Sequence, residues 1–90
     1  METHTEFDMM HGGQLQPFEA AFEWLAWTDS YDNTDSLAYY IDWTYGLLEL
    51  SYTDEDGKQH MVDYKLLRPE YKDLVDYSIN SEIENEINNR

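Results

Sequence analysis

The first strong hydrophobic pattern in the chain begins at Pro17 and has helical spacing. Proline suits the first position of a helix, and four apolar residues then follow at i, i+3, i+4 and i+7. These residues are Phe18, Ala21, Phe22 and Leu25. Because Trp24 and Trp27 extend the apolar surface of the same segment, the pattern predicts a helix from Pro17 that packs on more than one side.

After a polar loop over 29–35, the period changes to two. Large apolar residues alternate with smaller or polar ones, and they are Leu37, Tyr39, Ile41, Trp43 and Tyr45. This alternation favours a strand whose apolar side faces a core and whose other side carries Tyr40 and Asp42. A helix over 36–48 is the competing interpretation, because four residues of the segment also share one helical face. They are Leu37, Ile41, Thr44 and Leu48.

The second half of the chain contains a hairpin signal and a closing helix. Residues 47–53 and 58–67 are strand candidates, joined by a turn over 54–57 in which Gly57 supplies positive φ. Pro69 then begins a helix. Its expected inner stripe consists of Tyr71, Leu74, Val75 and Ile79.

Together these elements predict one small α+β domain. The expected order is α-β-β-β-α, with helices packed on a two- or three-stranded antiparallel sheet. The domain is expected to span 17–90, and residues 1–16, interrupted by Gly12 and Gly13, are expected to form a flexible leader. The chain has no Cys, which excludes disulfides and thiolate metal sites and is typical of a reducing cytoplasm.

Charge sets this sequence apart from an ordinary small domain. It has 20 acidic residues and 5 Lys or Arg, a net charge of −15. The first 57 residues hold thirteen of the acids and no Lys or Arg. Such a chain is repelled by nucleic acid and by anionic membranes, which carry the same sign. It is suited to a strongly positive protein partner, because charge complementarity accelerates association.

Signals for catalysis or metal binding are weak. The sequence contains no nucleophile elbow, no phosphate-binding Gly loop and no HExxH motif. His4 and His11 lie in the expected leader, and a flexible segment does not preorganise metal ligands. Among so many acids, two carboxylates close together do not identify a general acid and base. We therefore expect a protein that is not an enzyme and uses no cofactor or metal.

The acids of the first two-thirds of the chain are the candidate binding residues. In a strand, residues two apart are separated by about 6.7 Å, comparable with neighbouring phosphates along one DNA strand. The predicted partner-binding acids are Asp29, Asp32, Asp35, Asp42, Glu49, Asp54, Glu55 and Asp56. Tyr31 and Tyr40 are the predicted aromatic anchors, because Tyr buries a large area with few rotors. Glu19 and Glu23 form a secondary acidic flank.

In size, acidity and lack of Cys, the whole chain resembles the small phage-encoded inhibitors that mimic DNA or block DNA-binding grooves. That class includes uracil-DNA glycosylase inhibitors, anti-restriction proteins and anti-CRISPR proteins. The resemblance implies a stoichiometric inhibitor of a bacterial nuclease, CRISPR effector, restriction enzyme or glycosylase, acting in the cytoplasm of the infected cell. The inhibitor is expected to be a monomer or homodimer. Two alternatives stay open: an immunity protein or acidic adaptor for a cationic partner, and a structural domain whose acidity serves only solubility.

Overall fold

A computed structural model describes residues 2–30 and 39–89 of the chain. The described elements are four strands, a short 3₁₀ helix Tyr64–Leu66 and one α-helix. The strands are β1 Glu2–His11, β2 Gln14–Ser30, β3 Tyr39–Thr53 and β4 Gln59–Met61, and the helix is α1 Pro69–Asn88. They form one antiparallel sheet in the order β1-β2-β3-β4, so each strand pairs with the next along the chain. The predicted order α-β-β-β-α is wrong, because the observed order is β-β-β-β-α.

The segment predicted to be a flexible leader instead forms β1 and the start of β2. Its residues alternate between the two sheet faces, with Thr5 and Met9 buried on one side and Glu6 and Asp8 exposed on the other. Gly12 and Gly13 connect the two strands with φ of 63° and 79°. Glycine adopts this left-handed region without strain, and a two-residue turn of this kind matches the twist of paired strands.

The helix predicted from Pro17 is also wrong, because this segment belongs to β2. Phe18, Ala20, Phe22 and Trp24 are buried along one face of the strand, which is a period of two. The helix-like spacing arose because Ala21 and Leu25 are apolar although they lie on the opposite face. Pro17 pairs with β1 alone, since pairing with β3 begins at Phe18. A position with one neighbouring strand tolerates the missing N–H of proline.

The strand interpretation of 36–48 is confirmed for its described part, because β3 begins at Tyr39. A register shift between the pairs of Ala21 and Phe22 places one extra residue in β3. This bulge lets both Leu47 and Leu50 lie on the face that carries the core. The predicted hairpin is confirmed too, although β4 is only three residues long.

The closing helix is confirmed, with Pro69 in its first turn. Helix α1 covers one face of the sheet, which we call the inner face. Val75, Ile79 and Ile83 are fully buried. They join a core whose sheet residues are Met9, Phe18, Ala20, Phe22, Trp24 and Leu50. Leu74, predicted to belong to the inner stripe, is instead exposed.

Polar contacts also hold α1 against β3. The Tyr45 hydroxyl donates to Oδ1 of Asp76 at 2.6 Å, and the Tyr64 hydroxyl donates to Oδ2 of the same carboxylate at 3.0 Å. The indole Nε1 of Trp43 donates to Oδ1 of Asn80 at 2.8 Å. Burial, and then the bond to Asp76, raises the pKa of both tyrosines above the ordinary value. The predicted inward orientation of Trp43 and Tyr45 is therefore confirmed.

Candidate binding face

The side of the sheet opposite α1 carries a dense set of carboxylates. We call this side, formed by β1, β2 and β3, the open face. Among the residues whose side chains the structure describes, the strand register places seven acids on it. They are Glu2, Glu6 and Asp8 of β1, Glu19 and Glu23 of β2, and Asp42 and Glu49 of β3. These three strands contain no Lys or Arg, so no fixed positive charge of their own compensates the acids.

The register places like charges directly opposite each other on the open face. Glu2 pairs with Glu23, and Glu6 pairs with Glu19. Residues opposite each other in an antiparallel pair have Cβ atoms about 4.5–5.5 Å apart, and like charges there are destabilising. A slip of one residue would turn all side chains to the other face. Such a slip would expose the apolar core residues, so burial of the core fixes this register. The register in turn holds the acids close together.

His4 lies between the two like-charged pairs. It is opposite Ala21, which is buried although it lies on the open face. Nδ1 of His4 is 3.0 Å from Oε1 of Glu19, and Nε2 is 3.9 Å from Oε1 of Glu2. The imidazole therefore links one member of each pair. Among the described residues of the open face, it is the only His, Lys or Arg.

A hollow interrupts the open face near the start of β2. It has a volume of about 350 Å³ and is lined by the three acids Glu6, Asp8 and Glu19, together with Pro17 and Thr53. Pairing between β2 and β3 ends beside it. Three carboxylates around a concavity favour a cationic side chain, and the Arg guanidinium donates to several carboxylate oxygens at once.

The turn between β3 and β4 uses one of its acids internally. Oδ1 of Asp54 accepts from the backbone N–H groups of Asp56 and Lys58, both at 2.9 Å. Oδ2 of Asp54 lies 2.7 Å from Nε2 of His60. The bond with His60, and next that from Lys58, lowers the pKa of Asp54 below its ordinary value. Asp54 thus stabilises the turn, and its role in partner binding stays a prediction.

The other predicted binding residues fall into three groups. Glu19, Glu23, Asp42 and Glu49 meet on the open face. Glu55 and Asp56 are exposed in the turn between β3 and β4. For Asp29 and Tyr40 the structure describes only the backbone, where they pair across β2 and β3. Tyr31, Asp32 and Asp35 lie outside the described residues.

Sequence reasoning missed the three acids of β1. Glu2, Glu6 and Asp8 were assigned to a leader and so were not considered as binding residues. Their signal was present, because they share a period of two with the intervening His4 and alternate with Thr5 and Phe7. The alternation is faint since threonine is only weakly apolar, although it is enriched in strands.

No protein-family model matches the chain, and comparisons with curated proteins and with solved structures likewise find no match. Within residues 2–30 and 39–89, no three His, Asp or Glu side chains are grouped to hold a metal ion. In the same part of the chain, no helix is both long and apolar enough to span a bilayer. The site is therefore characterised by its own geometry: an open, like-charged sheet face with one acid-lined hollow.

Proposed function

We propose that this protein is a stoichiometric inhibitor whose open face occupies the basic nucleic-acid-binding site of a bacterial protein. The target class is a nuclease, CRISPR effector, restriction enzyme or glycosylase. The inhibitor acts by charge complementarity and steric exclusion, without catalysis. Its acids take the place of nucleic-acid phosphates, so protein and nucleic acid compete for one groove.

The observation that carries this proposal is the pairing of Glu2 with Glu23 and of Glu6 with Glu19. Each such pair destabilises the isolated fold, and solubility alone does not require acids directly opposite one another. A cationic partner reverses the sign of this interaction, because its Lys and Arg lie between carboxylates already held close together. The uncompensated charge then contributes to binding, since the repulsion is relieved in the complex.

The spacing on the open face also supports a phosphate-like role. Glu6 and Asp8 are two residues apart in β1, which places them about 6.7 Å apart along the strand. Glu19 extends the same group across to β2. The hollow lined by these three acids suits a Lys or Arg that otherwise contacts phosphate.

Apolar residues at one end of the open face add a second component. Leu25 is 66% exposed and Trp27 is 40% exposed, and both follow Glu23 on the open side of β2. Charges steer the encounter, whereas large apolar and aromatic side chains lengthen the life of a complex. The arrangement therefore combines fast association with a contact that salt does not weaken.

The test compares two variants that remove the same charge from different surfaces. The first carries Glu6→Gln, Glu19→Gln and Glu23→Gln on the open face. The second carries Glu70→Gln, Asp73→Asn and Glu84→Gln on exposed positions of α1. The partner is captured from bacterial lysate at low salt, purified and titrated with each variant. We expect the open-face variant to bind about ten- to hundredfold more weakly and the helix variant to bind almost normally.

A competition experiment completes the test. Nucleic acid should displace the inhibitor from the purified partner, and binding should weaken steeply as salt increases. Simultaneous binding of inhibitor and nucleic acid would contradict occlusion of the groove and would favour the immunity-protein or adaptor alternative. Equal binding by both charge variants would show that the open face does not contact the partner.

A further inference from the structure

The edge of β3 is only partly covered. On one side β3 pairs with β2 from Tyr39 to Tyr52, interrupted only by the bulge at Leu48. On the other side, β4 pairs only with Ser51–Thr53. After Met61 the chain turns away into the 3₁₀ helix. Among the described residues, the edge of β3 over 42–47 therefore has no neighbouring strand on this second side, and we call this stretch the open edge.

Backbone groups of Tyr45 and Leu47 point to the open edge. The carbonyl of Leu50 accepts from the N–H of Val62 at 2.8 Å, so the backbone groups of Leu50 point away from β2. The N–H of Trp43 donates to its neighbour Asp42 at 2.8 Å and so also points outward. Residues on one face of an antiparallel strand direct their N–H and C=O groups to the same edge. Tyr45 and Leu47 share the inner face with Trp43 and Leu50.

An apolar notch lies at the Leu47 end of the open edge. It has a volume of about 310 Å³ and lies between residues 47–50 of β3 and the departing segment 61–65. Leu48 is 45% exposed and Met61 is 61% exposed at this notch. An added strand that continues the line of β4 would place a side chain here. The notch therefore selects an apolar residue in that strand.

Charge decides which strand fits. Asp42 and Glu49 flank the open edge and lie on the open face. Opposite charges across adjacent strands are favourable, and like charges are unfavourable. A second copy of this chain brings another net charge of −15 and places its own acids beside these two. A basic segment brings Lys or Arg to the same positions.

We propose that the open edge of β3 binds an extended basic segment of the cationic partner by strand addition. The segment bonds to the backbone of Tyr45 and Leu47, inserts an apolar side chain into the notch and places basic side chains beside Asp42 and Glu49. The Asp42 carboxylate then releases the N–H of Trp43, which donates to a carbonyl of the incoming strand. The released carboxylate accepts from a basic side chain of that strand. This inference rests on the proposed function. It adds that the partner's Lys and Arg lie on an extended segment that pairs with β3.

A peptide of alternating Lys and Val, as long as the open edge, is the direct probe. Its affinity is measured at low salt and compared with the affinities of two N-methylated peptides of the same sequence. One is methylated at the odd-numbered residues and the other at the even-numbered residues. Strand addition requires backbone N–H donors, so we expect one N-methylated peptide to bind about tenfold more weakly. The unmodified peptide should also slow amide hydrogen exchange at Tyr45 and Leu47.

A pair of protein variants provides the matched control. Leu48→Lys places a cation at the notch, whereas Leu15→Lys places the same charge at a position that is 63% exposed near the β1–β2 turn. Leu48→Lys should weaken peptide binding about tenfold, because an apolar contact is lost and a like charge is added. Leu15→Lys should leave the affinity nearly unchanged.

Three results would overturn the inference. The first is equal affinity for all three peptides without protection of the Tyr45 and Leu47 amides. The second is that no peptide binds. The third is a dimer that forms as protein concentration rises and protects the same amides without peptide. The last result would place a second copy at the open edge. None of them depends on Glu6, Glu19 or Glu23, whose variants test the proposed function separately with the captured partner.

Discussion

The inner face and the open face are made by the same strands in the same register, and they follow opposite rules. On the inner face, Phe22 lies opposite Leu47, and Phe18 lies opposite Tyr52 with 5.3 Å between ring centroids. Each of these pairs buries apolar area. On the open face, the same ladder sets Glu6 against Glu19.

This difference separates what stabilises the fold from what the fold presents. Apolar burial stabilises a fold by about 25 cal/mol per Å². Summed over the inner face, this free energy is large compared with the repulsion of an exposed like-charged pair. The core can therefore hold the acids in positions that they would not adopt alone. Changes on the two faces should accordingly have effects of different size and, for the acids, of opposite sign.

The largest expected effect comes from the inner face. Phe22→Ala removes a fully buried ring from the centre of the core and should lower the free energy of unfolding by about 3–5 kcal/mol. Urea denaturation followed by circular dichroism measures this change. The control is Leu25→Ala on the open face, which should change stability by no more than about 0.5 kcal/mol. Comparable losses for both variants would show that the open face is also packed.

An intermediate effect is expected where α1 meets β3. Asp76→Ala leaves the hydroxyls of Tyr45 and Tyr64 without their acceptor and should cost about 1–3 kcal/mol of stability. Asp73→Ala, on an exposed position of the same helix, removes an equal charge and should have little effect. Chemical denaturation of the two variants side by side makes the comparison.

The same contact predicts a dependence on alkaline pH. Folding raises the pKa of Tyr45 and Tyr64, so it favours their protonated forms. Their contribution to stability is complete below the ordinary tyrosine pKa of about 10 and is lost as pH rises through the folded values. Unfolding measured from neutral to alkaline pH should show this loss, and Tyr45→Phe should reduce its slope. An unchanged slope in Tyr45→Phe would count against the contact.

The smallest expected effect comes from the open face and has the opposite sign. Glu6→Gln removes one charge of the pair with Glu19 and should stabilise the free protein by about 0.2–1 kcal/mol. Added salt should shrink the gain, because it screens the repulsion. Thermal unfolding at two salt concentrations measures both effects. Glu84→Gln, on α1, controls for total charge, and an equal gain there would mean that Glu6 and Glu19 do not repel locally.

Local signals in the second half of the chain predicted its elements well. The turn ending at Gly57 and the helix beginning at Pro69 both depend on residues close in sequence, through positive φ and a fixed φ respectively. The alternation through Trp43 and Tyr45 likewise identified β3 and its inner side. The order of the strands in the sheet, and the packing of α1 on its inner face without a second helix among the described residues, were not predicted. Both depend on the pairing of β1 with β2.

The error in β2 has a physical cause. Ala21 and Leu25 are apolar on the open face, so the segment carries a helical period and a strand period at once. Pairing with β1 and β3 decides between them, and long-range pairing overrides a weak local preference. The same error hid part of the candidate site. Glu19, Glu23, Asp42 and Glu49 were predicted as binding residues, but Glu2, Glu6 and Asp8 reach the open face only because β1 is a strand.

The position of α1 after all four strands has a consequence for synthesis. Each strand pairs with its predecessor, so the sheet needs only contacts between neighbours and can form while the chain is still emerging from the ribosome. Its cover, α1, is translated after these strands. Until then Phe18, Phe22 and Leu50 lie bare on one side of a nascent sheet, where they attract other unfinished chains. The carboxylates of the open face are already present at that moment, and the like charges of two such chains repel each other.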